Sequence, residues 1–119
     1  MMKLLLVDDS ELIRARLIGM LQGLAEVDTA ASLAQTLECA RHGHPELLIL
    51  DLHLPDGNVT QILGELRQLH PRAQMAVLTN DASEFNRQRC LSAGADCFFD
   101  KSTEFEKVLE LVQRQAALH

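Results

Sequence analysis

The sequence has no tryptophan and no tyrosine, and phenylalanine occurs only four times. A core built on large stacked rings is therefore excluded, and the interior must rest on Leu, Ile, Val and Ala. No apolar run approaches the ~20 residues a helix needs to span a bilayer. The N-terminus lacks the basic stretch, long apolar run and small-residue cleavage site of a secretion signal. Cysteines number three, and Cys39, Cys90 and Cys97 show neither CxxC nor metal-ligand spacing. That argues against a disulfide scaffold or a zinc site, and leads us to expect free thiols in a reducing cytoplasm. Positive charge is also short: 11 Lys+Arg stand against 17 Asp+Glu, for a formal net charge of −6. A nucleic-acid surface would be basic, so direct nucleic-acid binding by this chain is not expected. No linker, low-complexity tract or repeat divides the 119 residues, which read as one domain, 1–119.

Short apolar runs alternating with amphipathic segments are what the sequence does have. Lys3 to Val7 reads as a strand. The helix after it places Ile13, Leu17, Met20, Leu21 and Leu24 on one face, with Ser10 as N-cap and Gly23 as stop. Glu26 to Ala30, with Val27 its only strongly β-favouring apolar residue, reads as an edge strand. Ala31 to Arg41 is helical, with Leu33, Leu37 and Ala40 inward, and His42-Gly43-His44-Pro45 ends it. Leu47 to Leu50 is apolar without alternation, as in a parallel strand buried on both faces.

Leu54-Pro55-Asp56-Gly57-Asn58 is a turn. Val59 to Leu69 follows as a helix with Ile62, Leu63, Leu66 and Leu69 inward. Met75 to Leu78 is a buried strand, and Ser83 to Ser92 a short, lightly packed helix stopped at Gly94. Ala95 to Phe99 is the last strand. Thr103-Glu104-Phe105-Glu106 predicts a capping box. The final helix offers Phe105, Val108, Leu109 and Val112 inward and leaves Leu111 off that face. Leu111 and Phe85 are then candidates for a docking or dimer surface.

Strand–helix alternation with short connections implies a parallel sheet with right-handed crossovers and helices on both faces. In such a sheet, ligands bind beyond the carboxyl ends of the strands. Four runs end there in chemically useful residues. Leu4 to Val7 leads to Asp8 and Asp9, Leu47 to Leu50 to Asp51, and Met75 to Leu78 to Thr79. Cys97-Phe98-Phe99 leads through Asp100 to Lys101. Three carboxylates together need a cation, and an all-oxygen set suits Mg²⁺. Asp51 stands alone at its strand end, so it is the natural nucleophile toward phosphorus. Lys101 and the cation would offset phosphoryl charge, and Thr79 would donate a hydrogen bond to the attached group.

Leu5-Leu6-Val7-Asp8-Asp9-Ser10, Leu48 through Gly57, Val77-Leu78-Thr79, and Ala93-Gly94-Ala95-Asp96 through Lys101 resemble the receiver domain of two-component response regulators. The likeness covers essentially the full length. It implies a flavodoxin-like (βα)5 fold, a five-stranded parallel sheet of order 2-1-3-4-5 with helices on both faces. By resemblance, Asp51 is the phosphoacceptor. Asp8, Asp9, Asp51 and the backbone carbonyl of His53 hold Mg²⁺, for which Mn²⁺ substitutes. Thr79 and Lys101 bind the phosphoryl oxygens. Phe98 occupies the aromatic switch position and would turn inward on phosphorylation.

The resemblance implies a histidine kinase or phosphotransfer protein as donor. The responding surface would be the fourth helix, fifth strand and fifth helix, used for homodimerisation or to control a DNA-binding output domain absent from this chain. It implies no membrane partner, and no enzyme activity beyond assisting the chain's own phosphorylation and dephosphorylation. His53, Asn80 and Asp81 flank the phosphoryl position and bear on how hydrolytic water approaches. Ser102 follows Lys101 where many receivers have proline, which leaves the geometry of that bond open. A phosphorylation-independent interaction module is the alternative, and the intact five-residue site argues against it. A Mg²⁺-dependent phosphatase would need an acid–base Asp where His53 stands.

Overall fold

A computed structural model of the chain describes residues 1–118. Five parallel strands form one sheet: β1 (Met2–Val7), β2 (Ala25–Ala30), β3 (Leu47–Leu50), β4 (Gln74–Thr79) and β5 (Cys97–Asp100). Their spatial order is β2-β1-β3-β4-β5, as the resemblance implies, with every pairing parallel, as the repeated strand–helix pattern predicts. The helices are α1 (Glu11–Leu21), α2 (Leu33–His42), α3 (Leu63–Leu69), α4 (Glu84–Ala93) and α5 (Phe105–Ala117). Among the described residues, no helix is long and apolar enough to cross a membrane.

Alternation along the strands divides the core in two. Leu4, Leu6, Leu47, Ile49, Ala76 and Leu78 face α1 and α5. Leu5, Val7, Leu48, Leu50, Met75 and Val77 face α2, α3 and α4. The central strands are covered on both sides, which is why their sequences run apolar without polar alternation. β2 pairs only with β1 and stands at the edge, as its weak composition suggests. α4 buries only Asn86 and Cys90, so its packing is light.

Local signals hold at most helix ends. Ser10, Ser32 and Ser83 each accept a backbone N–H from three residues on, from Ile13, Gln35 and Asn86. Gly23 follows α1 at φ 83°, a conformation glycine adopts without steric cost.

Three expectations fail. The segment from Val59 is not one helix: a 3-10 turn (Val59–Gln61) and Ile62 come before α3. Ile62, Leu63 and Leu66 are inward as expected, but Leu69, the last residue of α3, is exposed. The expected turn at 54–58 is present at Pro55-Asp56, and it closes a small antiparallel ladder with His53 opposite Asn58 and Leu54 opposite Gly57. Gly57 sits at φ 144°, where an added Cβ would meet Leu33 Cδ1 at 2.9 Å and Gln61 Oε1 as well. The capping box does not form. Glu104 is the N-cap of α5 without a side-chain cap bond, and its Oε1 accepts from Asp100 N at 2.9 Å instead. Finally, Leu111 is only 3% exposed, packed in the core that lies under α1 and α5. α5 touches both the sheet and α1, so its apolar arc is wider than one stripe. Burial of such a leucine contributes ~2 kcal/mol, and Leu111 is not a docking residue. Phe85 alone of that pair is exposed, at 70%, with the Arg89 guanidinium 5.6 Å above its ring.

Candidate functional site

The carboxyl ends of β1, β3, β4 and β5 converge because parallel pairing brings them to one edge. Val7 lies beside Leu50, and Leu50 beside Val77. The backbone continues this register past the strands. Asp8 N donates to Ala30 O, Asp51 N to Val7 O, and Lys101 N to Thr79 O. The residues that follow each strand are therefore held in place by ladder hydrogen bonds and not by loops.

Asp8, Asp9 and Asp51 come together, each offering a carboxylate oxygen, with these atoms all within 4.8 Å of one another. Asp8 and Asp51 are buried and Asp9 is exposed. Lys101 lies between the two buried ones. Its Nζ donates to Asp8 Oδ2 at 2.6 Å and to Asp51 Oδ2 at 3.3 Å. The Lys101, Asp8 and Asp51 side chains are 8%, 3% and 11% exposed. Burial pushes the Asp51 carboxyl above its ordinary pKa, and Asp8 adds to this, while Lys101 opposes it. Burial works against the Lys101 charge, but Asp8 and Asp51 outweigh it and hold the ammonium pKa above its ordinary value. A hard, all-oxygen donor set of this kind suits Mg²⁺ or Ca²⁺ chemically, whereas zinc would want His or Cys.

Asp8 is fixed at every polar atom. Besides its N–H and Oδ2, its Oδ1 accepts from Ser10 N at 2.9 Å and its carbonyl accepts from Arg14 Nη1 at 2.6 Å. Thr79 is buried, and its Oγ1 accepts from Asp81 N at 3.1 Å. Asn86 Nδ2 donates to Asp81 O at 3.0 Å and ties that loop to α4. Asn80 is exposed.

His53 is exposed but not merely solvated. Its Nε2 lies 2.7 Å from Asp81 Oδ2, joining the loop after β3 to the loop after β4. The His53 hydrogen bond holds the Asp81 carboxyl below its ordinary pKa. Phe98 is 6% exposed and packs in the core toward α4. No described peptide bond is cis, so the Lys101–Ser102 bond is trans.

Two residues that brace the site carry no obvious mark in the sequence. Arg14 holds the Asp8 carbonyl. Asp56 accepts from Leu33 N at 2.7 Å and Ala34 N at 3.0 Å, capping α2 from the loop after β3. Those two N–H groups hold the Asp56 carboxyl below its ordinary pKa. The one signal for Arg14 is its place four residues after Ser10, one helical turn along α1. For Asp56 a turn-forming role hides the cap.

The response regulator receiver domain model matches residues 4–113. The nitrate/nitrite response regulator NarL of Escherichia coli K12 is 30% identical over 117 residues, which is 96% of this chain and 54% of that protein. This chain spans about half the length of the curated relatives it matches. A CheY-like response regulator receiver domain from Methanospirillum hungatei superposes with TM-score 0.89 at 28% identity, covering 98% of this chain and 94% of that one. A response regulator from Burkholderia pseudomallei, solved with a phosphorylated aspartic acid, calcium ion and citrate, superposes with TM-score 0.86. Its identity is 27%, over 98% of this chain and 69% of that one.

Proposed function

The chain belongs to the response regulator receiver domain family, and from that premise we propose that Asp51 is its phosphoacceptor and residues 1–119 one receiver unit. The observation that carries this is the buried trio. Lys101 lies 2.6 Å from Asp8 and 3.3 Å from Asp51 at the strand ends, with the exposed Asp9 alongside. The donor is a phosphohistidine on a histidine kinase or phosphotransfer protein. An Asp51 carboxylate oxygen bonds to phosphorus, the N–P bond breaks, and its electron pair returns to the donor imidazole.

Asp8, Asp9 and Asp51, with the carbonyl of His53, would hold Mg²⁺ (or Mn²⁺). When bound, the cation offsets negative charge on the phosphoryl oxygens. Lys101 would add an ammonium hydrogen bond to the same oxygens. Thr79, released from Asp81 N, would donate its hydroxyl proton to one of them. Binding of this kind draws the loop after β4 inward, and Asn86 conveys the change to α4. The output is a population shift of the α4-β5-α5 surface toward a form that docks a partner, a second copy or an output domain. His53 and Asp81 flank the phosphoryl group and govern the approach of water. The chain acts as an acceptor of phosphoryl groups and not as an enzyme turning over a separate substrate.

The test is labelling with acetyl phosphate. We expect Mg²⁺-dependent incorporation that EDTA prevents and that Asp51→Asn abolishes. Labelling that persists in Asp51→Asn, or none in the native chain, overturns the assignment.

A further inference from the structure

Arg14 has no part in the chemistry set out above, yet it reaches from α1 into the acidic cluster. Its Nη1 donates to the Asp8 carbonyl at 2.6 Å. That carbonyl belongs to the peptide joining Asp8 to Asp9. A peptide is planar, so holding its oxygen fixes the direction in which the chain enters Asp9.

Asp9 depends on this. Asp8 is anchored independently through its N–H and both carboxylate oxygens. The Asp9 carboxylate is exposed and, among the described residues, makes no side-chain hydrogen bond or ion pair of its own. Its position is therefore inherited from the main chain, which Arg14 holds before Asp9 and the Ser10 N–H, bonded to Asp8 Oδ1, holds after it. A guanidinium fits this role because it keeps its charge at every relevant pH and presents fixed N–H directions.

We propose that Arg14 is a positioning residue for the cation site, setting the Asp8–Asp9 peptide so that the Asp9 carboxylate is aimed at the ion. This rests on the assignment of Asp8, Asp9 and Asp51 as the cation-binding set. Two physical effects of Arg14 oppose each other. Its positive charge disfavours a second cation, while its grip on the peptide favours one by removing conformational freedom from Asp9. Outer hydrogen-bond partners of metal ligands are typically worth about tenfold or more in affinity, and the Arg14 guanidinium grips a carbonyl without forming an ion pair with any of the three carboxylates among the described residues. The positioning effect should win.

The experiment is a titration with Mg²⁺ alone, followed by backbone amide chemical shifts, on the native chain, Arg14→Met and Arg14→Lys. Unfolding in EDTA confirms that each variant folds. The expected result is a Kd raised roughly tenfold in Arg14→Met, with partial recovery in Arg14→Lys, which returns one donor. The Mg²⁺ needed for half-maximal acetyl phosphate labelling should rise alike, while labelling at saturating Mg²⁺ stays unchanged. An unaltered Kd, or a tighter one as charge removal alone would give, overturns the proposal. Failure of the native chain to bind Mg²⁺ overturns the cation-site assignment itself, a separate outcome read before any variant is compared.

Discussion

Two charge pairings frame the same crevice, and burial separates them. In the Asp8–Lys101–Asp51 trio all three side chains are nearly closed to solvent. In the His53–Asp81 pair, 2.7 Å apart, the side chains are 57% and 53% exposed. Distances are alike, but the surroundings differ. In the trio, solvent cannot screen the charges, so each depends on the others and the Asp51 carboxyl is pushed upward. In the pair, water competes with each contact, and the Asp81 carboxyl moves downward. The inner cluster is a fixed electrostatic device, whereas the outer pair can open and close at small cost.

Removing the shared ammonium tests the difference most severely. Lys101→Met leaves two buried carboxylates facing each other with nothing between them. Breaking a buried charge cluster in this way costs about 3 kcal/mol, read by urea unfolding in EDTA. Mg²⁺ in excess should recover part of the loss, because it restores positive charge at the same place. A variant as stable as the native chain would show that the trio is no more coupled than a surface pair.

A smaller effect is expected from pH. Asp51 has a raised carboxyl pKa in the folded chain. Its stabilising contribution is therefore present in acid, below the unfolded value, and is lost as pH rises through the folded value. Asp51→Asn should remove this loss. It should exceed the native chain in stability near neutral pH without metal, and converge with it below the ordinary aspartate range. Asp81 has a lowered pKa, so its contribution is present above the unfolded value and is lost as pH falls through the folded one. Asp81→Asn should lack that acid loss. Thermal unfolding across pH distinguishes the two, and parallel profiles would erase the contrast.

The smallest change in stability should come from His53→Gln. The exposed pair contributes little to folding, so Tm should stay within the scatter of surface substitutions. The lifetime of the Asp51 phosphoryl group should change instead, measured by loss of label after donor removal. A large fall in Tm with no change in lifetime would make the outer pair structural.

Much of this was legible in the residues themselves. Runs such as Leu47 to Leu50, apolar on both faces, marked the central parallel strands. The polar residue after each run marked the members of the site. Ser10 was legible as a cap because its contact lies within one turn, whereas Ser32 and Ser83, read as helical, prove to be caps as well. The failures share a different physics. Leu111 lay off the expected stripe of α5, and only the packing of α1 beside it widened that stripe. Leu69 continues the stripe of the buried Leu63 and Leu66 but stands at the end of α3 and is exposed, and where the core stops is set by packing and not by period. Asp56 reaches α2 across 22 and 23 residues of chain, and no local pattern encodes such a distance.

The sequence alone therefore determined the alternation, the sheet and the chemical identity of Asp8, Asp9, Asp51, Thr79 and Lys101, because strand and helix periods and side-chain chemistry are local properties. Only the tertiary structure decided that Lys101 lies between two of those carboxylates, that His53 finds Asp81 and that Arg14 holds the peptide leading into Asp9. Each of those contacts depends on where the crossover connections and helix faces bring separate segments, and that placement is set by packing of the whole core.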